Sequence, residues 1–105
     1  MIIEWAVRAR LNLREIYQYI ADDSPQNAGR FILKLFDSVD NLAHLPEMGR
    51  RVPEARQARR QDVRELIVQD YRIMYIVKPE RVLILNVIHG SRELGRMNAK
   101  PWDEV

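Results

Sequence analysis

A chain of 105 residues, 47% of them hydrophobic and 30% charged, has the composition of a globular protein, and at this length folding buries roughly two-thirds of the unfolded chain's surface around one core. No apolar run approaches the ~20 residues that cross a bilayer. Met1 to Trp5 lacks the basic flank and apolar stretch of a signal peptide, and there is no cysteine, so a disulfide scaffold is excluded and a cytoplasmic location is expected. Seventeen basic against 15 acidic residues leave a net charge of only +2, too little by itself to indicate nucleic-acid binding.

The β-branched pair Ile2-Ile3 begins a short strand expected to join a later sheet. Ala9, Leu13, Ile16, Tyr17 and Ile20 then recur at spacings of three and four, with Arg8, Arg10, Arg14, Glu15 and Gln18 opposite, which predicts an amphipathic helix. Ser24 and Pro25 supply an N-cap and a first-turn proline for a second helix. Ala28, Phe31, Ile32, Leu35, Val39 and Leu42 carry its stripe, and it should stop near His44, because Leu45 precedes Pro46. A short connection makes the helices antiparallel neighbours. Residues 45–62 contain two prolines and little periodicity, so a loop is expected there.

Residues 63–91 read as three antiparallel strands in a meander. Tyr71, Ile73, Tyr75 and Val77 share one face of the middle strand, and Arg72, Met74 and Ile76 share the other. Val82 to Ile88 is apolar except at Asn86, as in a strand covered on both faces. The breaks Gln69-Asp70 and Lys78-Pro79-Glu80 give tight hairpins. After Ser91 a helical turn is expected, but Gly95, Asn98 and Pro101 forbid a long helix. Trp102 should anchor the tail. The expected organisation is α+β in one domain over 1–105: strand 1–5, helical hairpin 6–44, Arg-rich loop 45–62, meander 63–90 and tail 91–105, with the hairpin packed on an antiparallel sheet.

Of the 17 basic residues 14 are Arg, and Arg50, Arg51, Arg56, Arg59, Arg60 and Arg64 crowd a stretch whose only acids are Glu54 and Asp62. Arginine presents a planar fork to phosphate or carboxylate, whereas a basic run also serves simply as a solvated loop. Two histidines, His44 and His89, without cysteine give no metal site, and the four scattered glycines give no phosphate loop. His89-Gly90-Ser91 is not a nucleophile elbow. Neither metal nor cofactor is expected.

The order of elements resembles that of the ParE/RelE toxins of type II toxin-antitoxin systems. The residues that carry the resemblance are Ile16 to Ala21, Ser24 to Ala28, Leu45-Pro46 with Gly49-Arg50, Pro53-Glu54, Val63 to Leu66, Tyr71-Arg72-Ile73 with Tyr75, and Val87 to Gly90 with Arg92. Similarity to the ParE branch implies a non-enzymatic inhibitor of DNA gyrase held by a cognate antitoxin. The target-facing residues expected are Arg59, Arg60, Arg92, Arg96 and Trp102, and the antitoxin-facing ones Leu13, Tyr17, Ile20, Phe31 and Leu35. The antitoxin should lie beside the two helices and run near the meander's edge.

The RelE branch implies a different activity, cleavage of mRNA on the ribosome. Attack by a 2′-OH needs a base, an acid and cations around the phosphate, for which Glu54, Arg64, Arg72, His89 and Arg92 are the candidates. Gly90 and Ser91 depart from that branch, which tends to place an aromatic or basic partner there. The residues also have plainer uses: Arg72 can pair with Glu65 across the first hairpin, His89 can be a satisfied strand-end histidine, and Tyr71 and Tyr75 can be core aromatics. A third reading is a degenerate toxin that only binds its antitoxin.

Overall fold

The computed structural model describes residues 1–103 and 105. In chain order it contains β1 (Ile2–Trp5), α1 (Val7–Asp23), α2 (Pro25–Asp40), a 3-10 turn (Asn41–Ala43), β2 (Arg50–Arg51), α3 (Pro53–Gln57), β3 (Val63–Val68), β4 (Tyr71–Val77), β5 (Arg81–His89) and a second 3-10 turn (Leu94–Arg96). The helical hairpin turns on one residue. Ser24 ends α1 and caps α2, its hydroxyl accepting from the Asn27 N–H at 3.3 Å while Pro25 takes the first helical position, which satisfies an otherwise orphaned amide.

The strands form one five-stranded sheet in the order β1-β5-β4-β3-β2. β3, β4 and β5 are the expected meander, with Val63 opposite Ile76 and Tyr71 opposite His89. The sheet is not wholly antiparallel, because β1 runs parallel to β5 with Ile2 opposite Arg81 and Trp5 opposite Ile84. β1 and the next strand in sequence, β2, lie at opposite edges with three strands between them, and the parallel pairing of β1 with β5 requires a long crossover that includes the helical hairpin. Gln69 in the two-residue β3–β4 turn has φ 52°, the left-handed backbone that tight hairpins demand.

Residues 45–62 are more ordered than a plain loop. Arg50 and Arg51 pair with Glu65 and Arg64, and Pro53 starts a short helix whose preceding residue Val52 and whose Ala55 are fully buried. Five helical residues are too few to show a periodicity in sequence. Gly49 makes this turn feasible. Its N–H donates to the Tyr75 hydroxyl at 2.9 Å, and a Cβ on Gly49 would lie 2.5 Å from that oxygen and 2.6 Å from the Glu65 carbonyl.

Both faces of the sheet are covered. Ala9, Ile16, Phe31, Leu35, Val39 and Leu42 of the helical segment pack on Leu66, Ile73, Tyr75, Val82, Ile84 and Val87, as the helical stripes require. On the opposite face α3 and the tail bring Val52, Ala55, Leu94 and Trp102 over Met74, Ile76, Leu85 and Ile88. A bulge separates the two registers of β5: Met74 opposes Asn86 while Tyr75 opposes Ile84, leaving Leu85 as the extra residue. Alternation is therefore broken at Leu85 and Asn86. Among the described residues no helix is long and apolar enough to cross a membrane.

Candidate functional site

On the face opposite the helical hairpin, Arg72 of β4 lies between two carboxylates. Its Nε donates to Glu65 Oε1 at 2.6 Å and its Nη2 to Glu65 Oε2 at 3.1 Å; Nη1 and Nη2 also reach Glu54 Oε2 and Oε1 at 2.8 and 2.9 Å. Glu65 sits diagonally across the β3–β4 ladder and Glu54 in the first turn of α3. Arg50 of β2 closes the chain, its Nε 2.8 Å from Glu65 Oε2. Two cations and two anions thus balance, and Glu65 and Arg72 are buried at 1% and 8% exposure. Two bidentate pairs satisfy four of the guanidinium's hydrogen-bonding directions. Hydrogen bonding from Arg72 holds the Glu54 carboxyl below its ordinary value, against the opposing effect of burial; the same carboxylates push the Arg72 pKa up.

Glu54, Arg72 and His89 do line one cleft, of about 560 Å³, together with Asp70. His89 takes no part in the ion pairs. Its Nδ1 accepts from the Ser91 N–H at 3.1 Å and lies 2.7 Å from the Ser91 hydroxyl, which in a neutral ring places the proton on Nε2. The ring stands edge-on to Tyr71 at 5.3 Å. His89 is a strand-end histidine whose Nδ1 is engaged by Ser91, and Arg72 pairs with Glu65 across the hairpin; a transferred phosphate would meet an arginine already neutralised by two acids.

The other arginines divide by what they hold. Arg64, a cleavage candidate by sequence, donates to the Gly49 carbonyl at 2.8 Å and the Glu47 carbonyl at 3.3 Å, so it clamps the turn before β2. Arg60 forks onto Asp62 with both contacts at 2.9 Å and donates to the Trp102 carbonyl at 2.9 Å, tying the loop to the tail. Trp102 is 4% exposed, a correction to its expected place on a target-facing surface: its indole area is spent on the second core. Arg59, with φ 63°, Arg92 and Arg96 are exposed, and Arg96 pairs with Glu93 at 2.9 Å.

The residues expected to face an antitoxin also divide. Phe31 and Leu35 are buried at 5% and 0% exposure, because the stripe they belong to has met the sheet, so neither offers a free surface in this structure. Leu13 and Ile20 are half-buried at its margin, and Tyr17 is exposed. Val7, Leu11 and Leu33, on the outer surface of the helices, are among the exposed apolar residues that sequence reading missed. Their only signal was an apolar position off the main stripe.

The arrangement of a short strand, a helical hairpin and a meander is shared with chains of two solved toxin-antitoxin systems. The chromosomal ParDE system of P. aeruginosa superposes with a TM-score of 0.67 at 22% identity, covering 85% of this chain and 95% of that one. The RelBE2 complex of Mycobacterium tuberculosis gives 0.56 at 19% identity, covering 84% and 95%. These two likenesses show the fold, a small α+β domain with a helical hairpin packed on a mixed sheet. Toxin RelE2 of Caulobacter vibrioides is 35% identical over 91 residues, 86% of this chain and 96% of its own length, and the Sinorhizobium fredii protein Y4kP is 36% identical over 93 residues, 87% and 90%. A family model described as the ParE toxin of the type II toxin-antitoxin system, parDE, matches residues 3–94, and the chain belongs to that family.

Proposed function

We propose that this toxin acts without cleaving nucleic acid, by binding DNA gyrase in the cytoplasm, and that a cognate antitoxin neutralises it. The observation that carries the reading is the double engagement of Arg72 by Glu54 and Glu65. A cleavage site needs cations ready to receive a pentavalent phosphate, and here the buried arginine of the cleft is matched by its own carboxylates. His89, tied to Ser91, has no acid or base hydrogen-bonded to it among the described residues. A protein-binding mode asks instead for exposed arginines, and Arg59, Arg92 and Arg96 supply them. The antitoxin's place would be the outer helical surface, where Tyr17, Leu11 and Leu33 are exposed and an amphipathic segment could cover them.

One observation favours a second reading, ribosome-dependent mRNA cleavage: Glu54, Arg72 and His89 line the same cleft. A supercoiling and cleavage-complex assay with purified gyrase, run beside a translation assay scored for cut message, separates the two. Inhibited gyrase with intact message is expected. Cut message with normal gyrase would replace the reading by the nuclease, and silence in both would leave a protein that only binds its antitoxin.

A further inference from the structure

A second and larger recess, about 860 Å³, lies between the N-terminal half of α1, the last residues of β5 and the tail. Its rim carries Arg8 from the helix and Arg92 and Arg96 from the tail, and its floor contains Asn86. Arg96 is matched by Glu93, whereas Arg8 and Arg92 have no ion-pair partner among the described residues. Asn86 is the unusual member. It is 1% exposed, and neither its Oδ1 nor its Nδ2 has a hydrogen-bond partner among the described residues. Its neighbours on that face, Leu85 and Ile88, are apolar members of the second core, so packing alone calls for a leucine. An unpaired buried amide is costly, and its position in the recess points to a partner that takes up those hydrogen bonds.

We propose that this recess is a binding site for an extended acidic peptide segment of a partner protein. The Asn86 carboxamide offers one acceptor and one donor side by side, the complement of a backbone peptide unit, and Arg8 and Arg92 offer forks for carboxylates. Nucleotides are a poorer fit, since no aromatic side chain lines the recess to stack a base. The helix also sets a charge register. Arg8, Asn12 and Glu15 share one face of α1, and Arg8 and Glu15 are two turns apart, about 10 Å. That is about three residues of extended chain, so the segment carries an acid at the Arg8 end and a neutral or basic residue three positions away, beside Glu15. Asn12 is held at the midpoint, its Oδ1 accepting from the Val87 N–H at 3.0 Å, which leaves its NH2 to donate. Asn86 lines the recess with its amide atoms shielded from solvent, so a ligand reaches them by displacing neighbouring side chains of the recess wall.

The site shares Arg92 and Arg96 with the gyrase reading and rests on it only in treating the protein as a binder of proteins; peptide binding is measured without gyrase, so either can fail alone. The probe is the blocked hexapeptide Gly-Glu-Glu-Ala-Lys-Gly, titrated into the full-length 15N-labelled protein. Expected are shifts of the Asn86 side-chain NH2 pair, assigned by its absence in Asn86→Leu, and of the Arg8 and Arg92 Nε–H signals. Arg8→Ala and Arg92→Ala should each weaken binding at least tenfold. Asn86→Leu should abolish it while raising the unfolding midpoint, an outcome a structural asparagine would not give. Three results overturn the proposal: no shift at these groups, equal or stronger shifts with a hexanucleotide RNA or inorganic phosphate, or an Asn86→Leu protein that is less stable yet still binds.

Discussion

The Nε of Arg72 and the Oε1 of Glu65 lie 2.6 Å apart with the Glu65 side chain wholly shielded from solvent. Charges in that position are stabilised by each other and not by water, so removing one leaves the other stranded. Replacing Glu65 by alanine strands Arg72 with Glu54 alone and frees Arg50, and the expected loss is about 3 kcal/mol in urea unfolding. Glu65→Gln, which keeps an acceptor, should lose less. Equal stability of Glu65→Ala and the parent would show that the pair contributes nothing.

Acid should weaken the protein partly through Glu54. The Arg72 guanidinium lowers the Glu54 pKa from its ordinary 4.5, and Arg60 lowers that of Asp62. In the acid range the unfolded chain therefore binds more protons than the folded one, so stability falls as pH falls. The contribution is complete above the ordinary carboxylate values and is lost as pH drops through the depressed folded ones. Glu54→Gln should cost about 1 kcal/mol at pH 7 and flatten the decline of unfolding free energy below pH 4.5. Parallel pH curves for parent and variant would rule out Glu54 as a source of that decline.

Gly49 is needed for space. An added Cβ would sit 2.5 Å from the Tyr75 hydroxyl, inside a fully buried site, and Gly49→Ala should lose about 1–3 kcal/mol through forced displacement of Tyr75 or β3. Tyr75→Phe removes the acceptor of the Gly49 N–H and should cost about 1–2 kcal/mol. In Tyr75→Phe the alanine change becomes less harmful, because the oxygen it strikes is gone. Thermal unfolding of the two single variants and the double variant measures this coupling.

The tail should hold by Trp102 and Arg60 together. Trp102→Ala empties part of the second core and should cost about 3–5 kcal/mol; Arg60→Ala, which loses one hydrogen bond to the Trp102 carbonyl and a partly exposed ion pair, about 1 kcal/mol. Hydrogen exchange of residues 91–103 should quicken in both variants, with the meander still protected in Arg60→Ala. Unchanged exchange in Trp102→Ala would mean the indole is not the anchor.

Exposed arginines are the residues to change when action is tested apart from stability. The double change of Arg92 and Arg96 to alanine should raise the concentration for half-inhibition of gyrase at least tenfold, about 1.4 kcal/mol, with the unfolding midpoint within about 0.5 kcal/mol of the parent. Full inhibitory strength in that double variant would move the target surface elsewhere.

Local chemistry made much of the fold legible. Ser24 and Pro25 marked the helix junction because capping is a property of neighbouring residues, and Tyr71 to Val77 divided between the faces because a strand's period is two. Arg72–Glu65 was foreseeable from a two-residue hairpin, which fixes its own register. β2 and α3 were not, since two strand residues and five helical ones carry too little pattern. Phe31 and Leu35 show a subtler limit: periodicity says that a stripe is buried and not whether a sheet or a partner buries it.

What the sequence determined by itself, then, was the opening strand, the helical hairpin, the three-strand meander and the resemblance that named the family, all of which follow from near neighbours. Tertiary structure alone decided that Glu54 joins Glu65 on Arg72, that Trp102 turns inward and that the bulge at Leu85 leaves Asn86 unpaired. Each depends on groups far apart in the chain, or on a register slip that an unbroken apolar run conceals, and a pairwise contact of that kind has no period to announce it.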